Sequence, residues 1–237
     1  MRVVSAYHPI VPYTTCHIGL ADLGFDWIEA LRMLAYSAKV RANVETLAIT
    51  DQELPVPHLR YKTTEESLML WVLEVSLLYL ESDDFDQDTV FISPDALVFG
   101  PLDLFGQWDL GVLYRGVKYG KHPLLNGFQW WPLASKARLV TFYRECLSIA
   151  RDLSKGQKRW GGDTVPLVRL LSPIIPGVHR RNGLVLCVLP AVLHADVTTC
   201  KLQRILKHPP GTITASVLDF KYWNKRYMKE VFDREFQ

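Results

Sequence analysis

The stretch DTVFISPDALVFGPLDLF, Asp88 to Phe105, decides the fold. Its apolar run Val90-Phe91-Ile92 reads as a short buried strand, and Pro94 turns the chain so that Asp95 sits just past the strand's end. A second apolar run, Ala96 to Phe99, is stopped by Gly100-Pro101. An acid at a strand end is either a turn or capping residue or part of a ligand site. In open α/β sheets, ligands gather at the edge where such strands end.

Outward from this segment, Val3-Val4-Ser5-Ala6 reads as a first strand, and a loop rich in rings and prolines follows from Tyr7 to Tyr13. Trp27, Ile28, Leu31, Leu34, Ala35 and Ala38 recur with a period near that of a helix, so Phe25 to Val40 is expected to be an amphipathic helix. Thr46 to Thr50 is the next strand and ends at Asp51, which gives a βαβ opening. Leu54 to Leu59 carries two prolines and is expected to be a loop. Thr63 and Thr64 are placed to cap a helix from Glu65 to Leu80, with Glu66 at the capping-box offset from Thr63. That helix is apolar on nearly every side and is expected to be buried.

Beyond the central segment, Asp109 to Leu113 is a strand and Tyr114 to Pro123 a basic loop. In Leu124 to Pro132, Asn126-Gly127 is either a tight turn or a polar site on an apolar strand. Ser135 to Asp152 reads as a helix, and the block Arg159 to Thr164 opens a shorter one. Asp163 then stands at its N-cap or in its first turn, where the helix dipole alone would account for a carboxylate. Gly183 to Leu189 is a strand, and Ser216 to Phe236 is expected to be an aromatic, basic helix.

The chain has 237 residues, 49% of them hydrophobic, a length suited to one large α/β domain. Net charge is only +2, but basic residues recur in local groups, among them Arg115, Lys118 and Lys121; Arg180 and Arg181; Lys201, Arg204 and Lys207; and Lys221, Lys225 and Arg226. These are solvated faces or phosphate contacts. Cys16, Cys146, Cys187 and Cys200 lack metal-ligand or redox spacing, and no apolar signal segment opens the chain, so a reduced, cytoplasmic setting is expected. The longest apolar stretch, Leu68 to Leu80, falls short of the roughly 20 residues that span a bilayer.

Ser93-Pro94-Asp95, followed by Ala96-Leu97-Val98-Phe99-Gly100-Pro101-Leu102, resembles the metal-binding signature of GT-A glycosyltransferases, above all the glycogenin-like and galactosyltransferase-like group. There the triplet is usually Asp-x-Asp; here serine replaces the first acid. Asn126-Gly127 resembles the family's Asn-Ser/Ala-Gly block, Gly161-Gly162-Asp163 its acidic turn, and His208-Pro209-Pro210-Gly211 its closing His-x-x-Gly motif. The blocks follow the family's order along nearly the whole chain.

The resemblance implies an α/β fold: one GT-A (Rossmann-like) domain over 1–237 with a mixed, mostly parallel central sheet flanked by helices. Residues 1–105 would form the nucleotide-binding half, and 106–237 the acceptor and donor-sugar half with its C-terminal helix. It implies a hexosyl- or pentosyltransferase that uses a nucleotide diphosphate sugar, with UDP as the expected nucleotide. Asp95 and His208 would ligate Mn²⁺ or Mg²⁺, and His194 competes with His208 for that role. Hard dications take oxygen ligands and need few protein carboxylates when a diphosphate supplies the rest. Tyr7, His8 and Tyr13 would hold base and ribose. Arg60, Lys118, Lys207, Ser93 and Gly211 would face the diphosphate, Asn126 and Gly127 the donor sugar, and Asp163 the acceptor or the reacting centre. The acceptor is open among a protein, a glycan and a nucleic acid with a hydroxymethylated base. The alternative is a binding protein that kept the fold and lost the chemistry at Ser93.

Overall fold

The computed structural model describes residues 1–8, 25–65, 67–114, 123–190, 194–197, 209–211, 213, 215–220 and 227–237. Its strands are β1 (Arg2–Ala6), β2 (Glu45–Thr50), β3 (His58–Arg60), β4 (Thr89–Ile92), β5 (Ala96–Val98), β6 (Leu110–Tyr114), β7 (Leu124–Trp131), β8 (Gly177–Arg181), β9 (Leu184–Pro190), β10 (His194–Val197) and β11 (Val217–Phe220). The helices are α1 (Trp27–Ala42), α2 (Leu68–Glu81), α3 (Lys136–Arg151), α4 (Lys155–Gly161), α5 (Thr164–Leu171) and α6 (Met228–Phe236).

An 8-stranded sheet runs in the order β3-β2-β1-β4-β7-β6-β9-β8, and a 3-stranded sheet in the order β10-β11-β5. β1 pairs in parallel with both β2 and β4, β2 with β3, and β6 with β9, whereas β7 runs antiparallel between β4 and β6. The expected mixed α/β sheet flanked by helices is therefore present. Because β1, β2 and β4 point the same way, Tyr7, Asp51 and Ser93 leave the sheet at one edge.

Both faces of this sheet are covered, and the strand sequences show why. Val4, Phe91 and Trp131 pack on one side with Trp71 and Leu73 of α2 and Phe142 and Tyr143 of α3. Their neighbours Val3, Val90 and Trp130 pack on the other with Leu34 and Ala38 of α1 and with Val98 and Val217 of the small sheet. Side chains alternate across a strand, so a strand apolar at every position fits only a sheet buried on both faces.

α1 starts where Asp26 accepts hydrogen bonds from Ile28 N at 2.8 Å and Glu29 N at 3.1 Å. It ends at Asn43, which adopts a left-handed conformation. The start of α2 differs from expectation. The helix begins at Leu68, and Thr63 makes no capping box: its hydroxyl donates instead to Asp51 Oδ2 at 3.0 Å. Glu74, buried on α2, accepts from Thr64 N, Thr64 Oγ1 and Glu65 N at 2.7, 2.6 and 2.9 Å. Tertiary bonds thus satisfy the groups that a local cap was expected to serve.

Two further segments depart from the sequence reading, and an edge strand, β8, is additional to it. His58–Arg60 closes the loop after β2 as a short edge strand. Arg180 and Arg181 lie on β8 at the opposite edge, where charge discourages pairing with another chain. The start of the C-terminal segment is strand β11 rather than helix: Val217 to Phe220 are buried and pair with both β10 and β5. Among the described residues of this segment the α-helix is Met228–Phe236, packed through Met228, Val231 and Phe232 on Ala30, Met33 and Leu97.

Asp109 anchors the start of β6. It accepts from Ser135 Oγ at 2.6 Å, Arg138 Nε at 2.9 Å and Nη2 at 2.7 Å, and Val185 N at 2.8 Å. Burial alone would push its carboxyl up, but the Ser135 hydroxyl, the Val185 amide and the Arg138 guanidinium outweigh it and hold the group below the ordinary carboxylate range. A depressed folded value means that this contribution is complete above the unfolded value of about 3.9 and is lost as pH falls through the folded value. Asp109→Asn is expected to cost about 1–3 kcal/mol at neutral pH and to flatten the acid limb of stability against pH, read by urea melts between pH 3 and 7.

Candidate functional site

The candidate residues come from the ends of β1, β2, β3 and β4, from within β7 and from the start of α5, along the edge where β1, β2 and β4 finish. Tyr7 continues the ladder past β1, donating its N–H to Ile49 O at 3.0 Å. Its hydroxyl is pushed up by burial and by nearby Asp26. His8 stands with its ring 5.0 Å from that of Trp71, edge to face, and its Nε2 3.7 Å from Asp51 Oδ2. Asp51 Oδ2 takes the Thr63 hydroxyl, while Oδ1 is buried and has no hydrogen-bond partner among the described residues.

Asp51 was legible in the sequence only as the end of a strand, by the same signal that marks Asp95. Arg60 is exposed, with Nε donating to Asp51 O at 3.2 Å and Nη1 3.9 Å from Glu53. Tyr13, Lys118, Lys207 and His208 lie outside the described residues, as do Arg115, Lys121 and the basic positions 221, 225 and 226.

At the centre of the edge, β4 ends and Ser93 N donates to Gly127 O at 2.8 Å. A Cβ at Gly127 would lie 2.8 Å from Ser93 Oγ and 3.0 Å from Ser93 Cβ, so the glycine leaves room for the Ser93 side chain. Asp95 follows Ser93 by a turn, is buried, and its carbonyl receives Phe220 N at 2.9 Å. β11 therefore holds the turn that presents Asp95. By register, His194 pairs with Val217 while Phe220 lies beside Asp95, so His194 starts its strand at the far end of the small sheet from Asp95. Gly211 N donates to Glu235 Oε2 at 2.8 Å, which places that glycine beside the end of α6.

Asn126 and Gly127 are not a hairpin turn but lie inside β7. The β6–β7 register jumps there: Val112 faces Gln129 and Leu113 faces Leu125, so residues 126–128 bulge out of that ladder. A bulge re-aims a side chain. Asn126 is thereby directed at the start of α5, where its Nδ2 donates to Asp163 Oδ2 at 2.8 Å. Asp163 occupies the N-cap position of α5 yet makes no side-chain capping bond. Its Oδ1 accepts from Thr164 Oγ1 at 3.2 Å. Burial pushes its carboxyl above the ordinary range, and the Asn126 and Thr164 bonds offset that only in part. The structure thus joins the Asn126, Gly127, Ser93 and Asp163 positions in one place.

Among the described residues no group of three or more His, Cys, Asp or Glu is arranged to hold a metal ion. Asp95 fits as one oxygen donor at a strand end. A cation held there needs further ligands from a bound diphosphate or from residues outside the described set.

No family model matches this sequence, and no curated protein matches it. Among solved structures, 98% of the chain superposes on 98% of a glycosyltransferase involved in the glycosylation of the major capsid of PBCV-1, at 10% identity and a TM-score of 0.59. Its whole length superposes on the glycosyltransferase GlyE of Streptococcus pneumoniae TIGR4 at 11% identity and a TM-score of 0.60, spanning 60% of that longer chain. It also superposes in full on 97% of the galactosyltransferase LgtC, solved with donor and acceptor sugar analogues, at 11% identity and a TM-score of 0.55. At such identities the likeness is one of fold, and the chain has the GT-A glycosyltransferase fold.

Proposed function

We propose that this protein is a glycosyltransferase that takes a sugar from a nucleotide diphosphate sugar and passes it to an acceptor hydroxyl. The observation that carries the proposal is the Asn126–Asp163 hydrogen bond, which sets a carboxylate and an amide side by side at the ligand edge of a GT-A fold. Base and ribose lie by Tyr7 and His8. UDP is the expected nucleotide, and Asp51, beside His8, stands at the same end of the site. The diphosphate lies over the Ser93–Asp95 turn, with Arg60, Lys118 and Lys207 as its supporting groups. Asn126 and Gly127 hold the sugar, and Asp163 faces the bond that breaks or the incoming hydroxyl.

Asp95 and His208 are the residues that would hold Mn²⁺ or Mg²⁺, and such a cation would supply charge neutralisation at the leaving diphosphate. For the acceptor, a hydroxymethylated base in DNA stands alongside a protein and a glycan. Acceptor binding that weakens steeply with added salt marks a polynucleotide, and binding indifferent to salt marks a protein or a neutral glycan. The packing of Ser93 on Gly127, where the resembled triplet has an acid, favours one rival: a nucleotide-sugar binding protein without turnover.

Incubation with Mn²⁺ and a panel of nucleotide sugars, followed by measurement of released nucleoside diphosphate, tests the proposal. Release with at least one donor is expected. No release with any donor, together with unchanged nucleotide binding in Asp95→Ala, overturns it in favour of the rival.

A further inference from the structure

Gln129 lies three residues beyond Asn126 on β7, is 2% exposed, and has every polar atom engaged. Its Oε1 is approached by Trp131 Nε1 at 3.2 Å and by the Tyr143 hydroxyl at 2.5 Å. Its Nε2 lies 3.0 Å from Asn126 O and 2.6 Å from Asn126 Oδ1. An indole N–H can donate and never accept, so the Gln129 atom facing Trp131 is the oxygen. The Gln129 nitrogen therefore faces Asn126, and the Asn126 atom that it meets is an acceptor. The Asn126 amide group is then the end turned to Asp163. A single donor-only group buried behind the strand fixes the sense of every bond out to the site.

We propose that Gln129 is a positioning residue for the donor-sugar end of the site, locking Asn126 with its amide nitrogen toward Asp163. The assignment rests on the transferase reading for its ligand and on geometry for the rest. With its amide so held, Asn126 presents a second Nδ2 proton beyond the one given to Asp163, and Asp163 presents carboxylate lone pairs. Both residues are partly exposed. The pair is suited to one sugar hydroxyl that accepts from Asn126 and donates to Asp163. Without Gln129, the Asn126 carboxamide is free to rotate, and its oxygen would face the carboxylate for part of the time.

The test has two arms. In ¹⁵N-labelled protein, the Asn126 side-chain amide is identified by its loss in Asn126→Ala, and its proton exchange is compared with that in Gln129→Met. Exchange about tenfold faster in the variant is expected, the effect of one lost hydrogen bond, with β7 backbone amides unaltered. Equal exchange rates overturn the proposal. Should Gln129→Met fail to fold, Gln129→Leu removes the amide donor with a side chain of similar size and no charge to bury, and the same acceleration is expected.

In the second arm, calorimetry measures how much more tightly UDP-galactose or UDP-glucose binds than UDP. That ratio is expected to fall about tenfold in Gln129→Met and in Asn126→Ala, and no further in the double variant, because one residue acts through the other. Fully additive losses would assign Gln129 a merely structural role and overturn the proposal. If the unaltered protein binds neither UDP nor the two sugars, the transferase reading fails, and the exchange arm still decides what Gln129 does.

Discussion

Asp163→Asn is expected to lower turnover of the best donor by about 10²–10⁴, the range for removing a charged side chain that works at the reacting centre, while leaving the protein as stable as before or more so. The two outcomes have one cause. Burial holds the Asp163 carboxyl above its ordinary range, so the folded chain binds this proton more tightly than the unfolded chain. Stability then falls as pH rises through the window between the ordinary and the raised values, because ionisation there costs the folded state more. Asparagine has the same shape, keeps an oxygen for Asn126 Nδ2 to donate to at the place of Oδ2, and carries no charge to desolvate. The variant should therefore melt at an equal or higher temperature above that window and lose this part of the pH dependence. Release of nucleoside diphosphate gives the activity, and thermal melts from pH 4 to 8 give the stability. A variant that loses activity and melting temperature together would show Asp163 to be a structural acid instead.

Such a trade is the mark of a residue placed for chemistry rather than packing, and it could not have been read from position alone. In the sequence Asp163 has the address of an N-cap, and N-caps are usually acidic for local reasons. Only the fold reveals that its side chain makes no N-capping bond to α5 and that Asn126, 37 residues earlier, donates to it.

Local signals fared well where one element's own periodicity carried them. Val90-Phe91-Ile92 fell where expected, and so did the apolar α2 and the strand end at Asp95, because a strand buried on both faces and a buried helix leave unbroken apolar runs. Val217 to Phe220 failed because four residues of strand merge with the aromatic spacing of the helix that follows. Asn126-Gly127 stayed open between a turn and a polar site on a strand for a related reason. The dipeptide suits any position where the backbone must depart from a ladder, and here the departure is a bulge within β7. Gln129 left no signal at all, since one amide in an apolar strand reads like an exposed position until its buried partners are known.

Trp131→Ala is expected to have the largest effect on stability, about 3–5 kcal/mol, the usual cost of deleting a fully buried aromatic side chain. Trp131 is 0% exposed, stacks on Phe91 at 5.1 Å, meets Tyr143 edge-on at 5.5 Å and lies 6.3 Å from Tyr79. These rings fill the space between β7 and the layer of α2 and α3, and the loss leaves a cavity that several rigid aromatics cannot close. Urea melts should show the midpoint falling with little change in slope. Trp131→Phe separates packing from polarity: it keeps one ring in the stack and removes the indole N–H that faces Gln129 Oε1 at 3.2 Å. A smaller loss of about 1–3 kcal/mol is expected, part from the smaller ring and part from the lost donor. If Trp131→Phe proves as costly as Trp131→Ala, packing against Phe91 is not what Trp131 contributes, and the hydrogen-bonded chain from Trp131 through Gln129 and Asn126 to Asp163 stabilises the fold more than the aromatic layer does.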